Sequence, residues 1–138
     1  MKTVLVLEDD ASILALISMV IENNGYAVLA ATSAREAFDR FEENDAQVDL
    51  LIADVTLPES SGIRVALELR SLLPNLKIII MSGFPSEMWN QQDGADLEEF
   101  PSDSVIALQK PFVPAALRNA VQKLIGLPSV AVRMKAAS

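Results

Sequence analysis

VDLLIADVTLPESSG, Val48 to Gly62, is the stretch whose reading decides the fold. The apolar run Leu50 to Ala53 reads as a strand and delivers the chain to a single carboxylate, Asp54. Pro58, Ser60, Ser61 and Gly62 then mark a turn. A helical pattern follows, with Ile63, Ala66, Leu67 and Leu69 at its apolar positions and Pro74 as its stop. A strand that ends on an acid and hands over to a helix puts that acid at the carboxyl edge of a sheet. In open α/β sheets ligands bind at that edge.

The same strand-then-helix unit recurs on both sides. Thr3 to Leu7 is a β-branched and leucine run that stops at Glu8, Asp9 and Asp10. Ile13, Leu14, Ile17, Val20 and Ile21 then recur at helical spacing, with Asp10 or Ser12 as cap and Asn24-Gly25 as stop. Tyr26 to Ala31 is a weaker strand. Ser33 and Glu36 have capping-box spacing before the apolar face Ala34, Ala37, Phe38 and Phe41, and Asn44-Asp45 closes that helix. After the Val48 to Ala53 strand, Leu76 to Met81 is the most hydrophobic run, expected at the centre of the sheet and stopping at Ser82-Gly83. From Phe84 to Ser104 prolines, a glycine and acids break the pattern, with a short helix expected around Ser86 to Gln92. Val105 to Gln109 is a fifth strand, ending at Lys110-Pro111. Val113 to Ile125 is a fifth helix, with Pro114 in its first turn and Gly126 after it. Five βα units with continuously apolar strands predict an α/β fold with a parallel sheet covered on both faces. One domain over residues 1–126 is expected, with 127–138 as a loosely held tail.

Composition narrows the chemistry. The 138 residues hold no cysteine and no histidine, which removes thiolate and imidazole ligands and the usual general base. Net charge is −8, so direct nucleic-acid binding is not expected, because phosphate contacts need clustered Lys and Arg. No signal-peptide pattern and no run of roughly 18 apolar residues is present, and a cytoplasmic location is the default expectation. The five glycines form no G-x-G-x-x-G, which argues against a dinucleotide fold.

Parallel strands share a direction, so their ends share an edge. That edge collects Glu8, Asp9 and Asp10, then Asp54, Ser82 and Lys110. Clustered carboxylates without imidazole or thiolate favour a hard cation, Mg²⁺, over Zn²⁺. A lysine adds a point charge for phosphate and a serine adds a hydrogen bond. The glycine after that serine leaves its backbone N–H open to a bulky oxyanion. These are the parts of phosphoryl transfer, where positioning and charge neutralisation are the protein's main contribution. The nucleophile would be a carboxylate, giving an acyl phosphate.

With LVLEDD at 5–10, DLLIADVTLPESSG at 49–62, IIIMSG at 78–83 and LQKPF at 108–112, the chain resembles the receiver domains of two-component response regulators over about residues 2–126. The resemblance implies the flavodoxin-like (βα)5 sandwich, strand order 2-1-3-4-5. It implies Asp54 as phospho-acceptor from a phosphohistidine on a histidine kinase or histidine phosphotransfer protein. Glu8 and Asp9 would hold Mg²⁺ together with Asp54 and the backbone carbonyl of Thr56, with Asp10 left as a helix cap. Ser82 and Lys110 would contact phosphoryl oxygens, and Pro111 would follow a cis peptide. Phosphorylation would then switch binding to a downstream protein partner or pass the phosphoryl group onward, and the chain would be a signalling domain rather than an enzyme. The LQKPF and MSG motifs are similar to those of receivers attached to hybrid histidine kinases.

Two departures stand out. Many receivers carry Tyr or Phe three residues before the lysine, and this chain has Ala107. The segment from Ser82 to Lys110 is also a few residues longer than usual. Each motif has a plainer reading when taken alone: Asp54 as a turn residue, Glu8 to Asp10 as acids at a helix start, Lys110 as a solvated lysine before proline. Trp89, the single tryptophan, reads as packing over an irregular loop or as a partner contact. The acids from Asp93 to Asp103 read as a solvated loop. Two rival functions are a receiver used purely for docking and an aspartate-nucleophile phosphatase. The second generally wants an acid two residues after the nucleophile, where Thr56 stands.

Overall fold

The computed structural model describes residues 1–128. The expected tail lies, from residue 129 on, outside the described residues. The chain runs β1 (Thr3–Leu7), α1 (Ala11–Asn23), β2 (Ala27–Ala31), α2 (Ala34–Glu43), β3 (Leu50–Asp54), α3 (Gly62–Leu72), β4 (Lys77–Ser82), α4 (Gln91–Glu98), β5 (Val105–Gln109) and α5 (Pro114–Ile125). Five parallel strands pair in the order β2-β1-β3-β4-β5, the flavodoxin-like arrangement.

Alternate residues of each strand serve opposite layers. Val4, Val6, Leu50, Ile52, Ile79 and Met81 pack with Leu14, Ile17 and Ile21 of α1 and Leu117, Ala120 and Val121 of α5. Leu5, Leu7, Leu51, Ala53, Ile78 and Ile80 pack with Ala37 and Phe41 of α2 and Ile63, Val65, Ala66 and Leu69 of α3. Val4–Leu7, Leu50–Ala53 and Ile78–Met81 are all 0% exposed, so three strands are covered on both faces. Each large aliphatic side chain among them contributes about 1.5–3 kcal/mol by leaving water.

β3, not β4, is the middle strand. Hydrophobicity reports that a strand is covered on both faces, and β1, β3 and β4 all meet that condition. Their order is decided by the crossovers, which a strand's own residues do not encode. The weaker β2 lies at an edge.

Local chemistry sets the helix ends. Asp10 caps α1 by accepting from the N–H groups of Ser12 (2.9 Å) and Ile13 (3.1 Å). Ser33 Oγ accepts from Glu36 N at 3.1 Å, half of the expected box. The Glu36 carboxylate reaches instead to the N–H and hydroxyl of Thr32, at 2.7 Å each. Ser61 caps α3, Pro114 opens α5, and Gly126 ends it at φ 76°.

The segment after Gly83 differs from expectation. Ser86–Met88 forms only a 3-10 turn, and α4 starts at Gln91. The reason is Asn90, whose side chain accepts from Asp93 N at 2.8 Å and caps the helix there. The acids of this segment are not all solvated either. Asp93 and Asp96 are buried, and Asp96 accepts from Arg64 of α3 (3.2 Å) and Gln92 (2.7 Å).

Candidate functional site

The carboxyl ends of β1, β3, β4 and β5 meet at one edge. In register, Leu7 pairs with Ala53, Asp54 with Met81, and Ser82 with Gln109. Glu8, Asp54, Ser82 and Lys110 therefore leave four strands within two residues of one another. Backbone bonds extend the ladders past the strand ends: Val55 N donates to the Met81 carbonyl at 2.8 Å, and Lys110 N to the Ser82 carbonyl at 2.7 Å.

Lys110 closes the centre. Its Nζ donates to Glu8 Oε1 at 2.7 Å and to Asp54 Oδ2 at 2.6 Å. Glu8 is 1% exposed and Asp54 7% exposed, so these are charges held out of water by a shared cation. The remaining oxygens are used too. Asp54 Oδ1 accepts from Thr56 N at 2.9 Å, and Glu8 Oε2 from Asp9 N at 3.1 Å. Burial, with Asp54 alongside, outweighs Lys110 and pushes the Glu8 carboxyl up to about 7. Burial opposes the Lys110 ammonium, but its bonds to Asp54 and Glu8 outweigh that and raise its pKa.

Carboxylate oxygens of Glu8, Asp9 and Asp54 lie within 4.8 Å of one another. Asp9 is exposed and opens the cluster to solvent, while Glu8 and Asp54 form its floor. An all-oxygen donor set fits a hard divalent cation. Asp10 points its carboxylate into the α1 cap instead. Thr56 stands beside Asp54 through its N–H, at a bridge to Ser61 that closes the turn.

Ser82 is 3% exposed. Its hydroxyl is not bonded to Asp54 or Lys110 among the described residues. It accepts from Phe84 N at 3.0 Å and from Trp89 Nε1 at 3.1 Å. The Lys110–Pro111 peptide is cis, as the resemblance implies.

Two further residues shape the site. Gly62, at the start of α3, lies against the Asp54 backbone: a Cβ there would sit 2.0 Å from the Asp54 carbonyl oxygen. Its N–H donates to the Val55 carbonyl at 3.1 Å, tying the helix to the strand end. From the sequence alone Gly62 is only a turn residue. The glycine itself was the signal, because a close backbone approach is the other reason to need one. Trp89 is the second, and its bond to Ser82 has no sequence signal because the two lie seven positions apart across irregular chain.

Comparison with known proteins agrees with this geometry. Residues 4–122 match the family model described as response regulator receiver domain. The chain is 30% identical to the response regulator receiver protein CpdR of Brucella abortus, covering 91% of this chain and 98% of CpdR. It is likewise 30% identical to the chemotaxis protein CheY of Thermotoga maritima, over 89% of this chain and 97% of that protein. The sensor kinase CckA of Brucella abortus is 31% identical over 89% of this chain, which spans only 12% of the kinase. Among solved structures, a response regulator receiver domain protein from Clostridium thermocellum superposes with a TM-score of 0.74 at 27% identity, covering both chains fully. The receiver domain of the hybrid histidine kinase CckA gives 0.70 at 27% identity, over 88% of this chain and 98% of that one. The four strand ends, the shared cation and the family match lead to one conclusion: this chain belongs to the response regulator receiver domains of two-component signalling systems.

Proposed function

We propose that Asp54 accepts a phosphoryl group from a phosphohistidine of a histidine kinase or histidine phosphotransfer protein, and that the phosphorylated form binds a downstream protein or passes the group onward. The observation that carries this reading is Lys110 bridging Glu8 and Asp54 at 2.7 and 2.6 Å, at the one sheet edge where Ser82 also ends its strand. In the reaction an Asp54 carboxylate oxygen attacks phosphorus. The P–O bond forms as the P–N bond to the donor imidazole breaks, and the imidazole leaves with the electron pair. Hydrolysis of the acyl phosphate by water would return the carboxylate.

The chain's own residues prepare this step. The Thr56 N–H holds one Asp54 oxygen and so orients the carboxylate. The Lys110 ammonium balances the charge that a phosphoryl group brings. Ser82 offers a hydroxyl to a phosphoryl oxygen. Mg²⁺, when bound by Glu8, Asp9, Asp54 and the Thr56 carbonyl, would neutralise further phosphate charge. Support for the metal comes from the acidic cluster and from a relative: the response regulator TrrA of Thermotoga maritima, 28% identical with a TM-score of 0.69, was solved in complex with Mg²⁺-BeF.

Incubation with a small acyl phosphate and Mg²⁺ should add one phosphoryl group by intact mass. Asp54→Asn should take none. A wild-type mass that stays unmodified overturns the reading and leaves a docking module.

A further inference from the structure

We propose that Trp89 reads the phosphoryl state of Asp54 through the Ser82 hydroxyl; the inference rests on the phospho-acceptor reading above. A serine hydroxyl has one proton to donate and two lone pairs. Both lone pairs of Ser82 Oγ are engaged, by Phe84 N at 3.0 Å and Trp89 Nε1 at 3.1 Å. The proton is the remaining capacity, and Ser82 can donate it to a phosphoryl oxygen.

Asp54 pairs in register with Met81, the residue before Ser82, so a phosphoryl group on Asp54 is built beside the neighbouring strand end. Its oxygens are charged acceptors, and a bond to them is roughly twice as strong as a neutral one. Turning the Ser82 Oγ toward the phosphoryl group takes it away from the indole. Trp89 Nε1 then keeps only the Phe84 carbonyl, already at 3.3 Å.

The ring has room to respond. Trp89 is half-buried beside a hollow of about 240 Å³ that Ser82, Pro85, Ala107 and Gln109 also line. Ala107 lies two residues along β5 from Val105, which packs on the same layer as Trp89, so both face the α3–α4 side of the sheet. Its methyl leaves the hollow open where a larger residue would fill it. The aromatic group that senses Ser82 in this chain thus comes from the segment after β4, not from β5. Its movement would reorganise residues 84–90, while the Arg64–Asp96 pair at 3.2 Å keeps α4 on α3.

Trp89 is the single tryptophan, so ¹⁵N-labelled protein gives one indole N–H cross-peak. On treatment with an acyl phosphate and Mg²⁺, that peak should shift upfield in proton as its hydrogen bond to Ser82 is lost. Mg²⁺ alone should leave it in place. Ser82→Ala should put the peak at the released position before treatment and remove the response, and Ser82→Thr should restore both. Intact mass on the same samples reports occupancy. A wild-type sample that carries one phosphoryl group with an unmoved indole peak overturns the inference and leaves the Asp54 reading intact. So does a peak that moves equally with Mg²⁺ alone, or one in Ser82→Ala that still responds at full occupancy. A sample that takes no phosphoryl group overturns both.

Discussion

Gly62→Ala tests how tightly the Asp54 backbone is held. An ideal Cβ at residue 62 would lie 2.0 Å from the Asp54 carbonyl oxygen, 2.8 Å from the Asp54 carbonyl carbon and 3.1 Å from the Ala53 Cβ. Ordinary contact begins near 3.4 Å, so backbone must move by more than an ångström. No flexible side-chain end is available to yield. The opposing atoms belong to β3, whose residues are all buried and whose two edges are paired to β1 and β4. The helix must therefore back away, losing the Gly62 N–H bond to Val55 and opening the packing of Ile63 and Ala66. Overpacking costs typically 1–3 kcal/mol, and a clash with fixed backbone belongs at the upper end, so about 3 kcal/mol is expected. With a urea slope of about 2 kcal/mol/M, the unfolding midpoint falls by about 1.5 M. Phosphorylation of Asp54 from an acyl phosphate should slow as the Thr56 turn shifts with the helix. Urea unfolding and intact-mass time courses of the two proteins are the assays. A midpoint within about 0.3 M of wild type would refute the argument that β3 cannot yield.

Three further outcomes are expected. Lys110→Met leaves Glu8 and Asp54 facing each other without their cation; in metal-free buffer at pH 8 it should unfold about 2–3 kcal/mol more easily, and millimolar Mg²⁺ should recover much of that loss, as thermal melts with and without the ion would show. Asp10→Ala removes the α1 cap and should cost about 1 kcal/mol in urea unfolding, with Mg²⁺ binding by calorimetry unchanged because Asp10 stays out of the acidic cluster. Burial raises the Tyr26 phenol above its ordinary pKa of 10.0, and its hydroxyl donates to the Gly126 carbonyl at 2.6 Å. The folded state therefore holds that proton more tightly than the unfolded chain: the stabilisation is complete below pH 10 and is lost as pH rises through the folded pKa. Tyr26→Phe should be less stable by about 1 kcal/mol at neutral pH, and melts from pH 9 to 11 should lack the alkaline loss expected of wild type.

Much of the site was legible because its residues are read against strand ends. An apolar run announces where a strand stops, and parallel strands stop on the same edge. Asp54, Ser82 and Lys110 could be collected from three separate runs on that basis, and Glu8 and Asp9 from a fourth. The site's internal partners were less legible. That Lys110 bridges Glu8 and Asp54, rather than pointing to solvent, follows from the β4–β5 ladder continuing through Lys110 N to the Ser82 carbonyl. Asp93 and Asp96 read as solvated acids, yet Asp96 is buried against Arg64, a partner 32 residues away on another helix.

The sequence by itself determined the parallel α/β class, the strand ends that gather acids, serine and lysine, the cap at Ser33 and the proline start of the last helix at Pro114. These are consequences of short-range patterning, since period, punctuation and side-chain chemistry all act within a few residues. Resemblance aside, only the tertiary structure decided that β3 is the middle strand, that α4 begins at Gln91, that Gly62 rests on the Asp54 backbone and that Trp89 holds the Ser82 hydroxyl. Three of these are relations between elements brought together by folding, and the fourth depends on which of several polar residues in an irregular segment wins the cap. A single strand, helix or loop does not contain the distance to its neighbour.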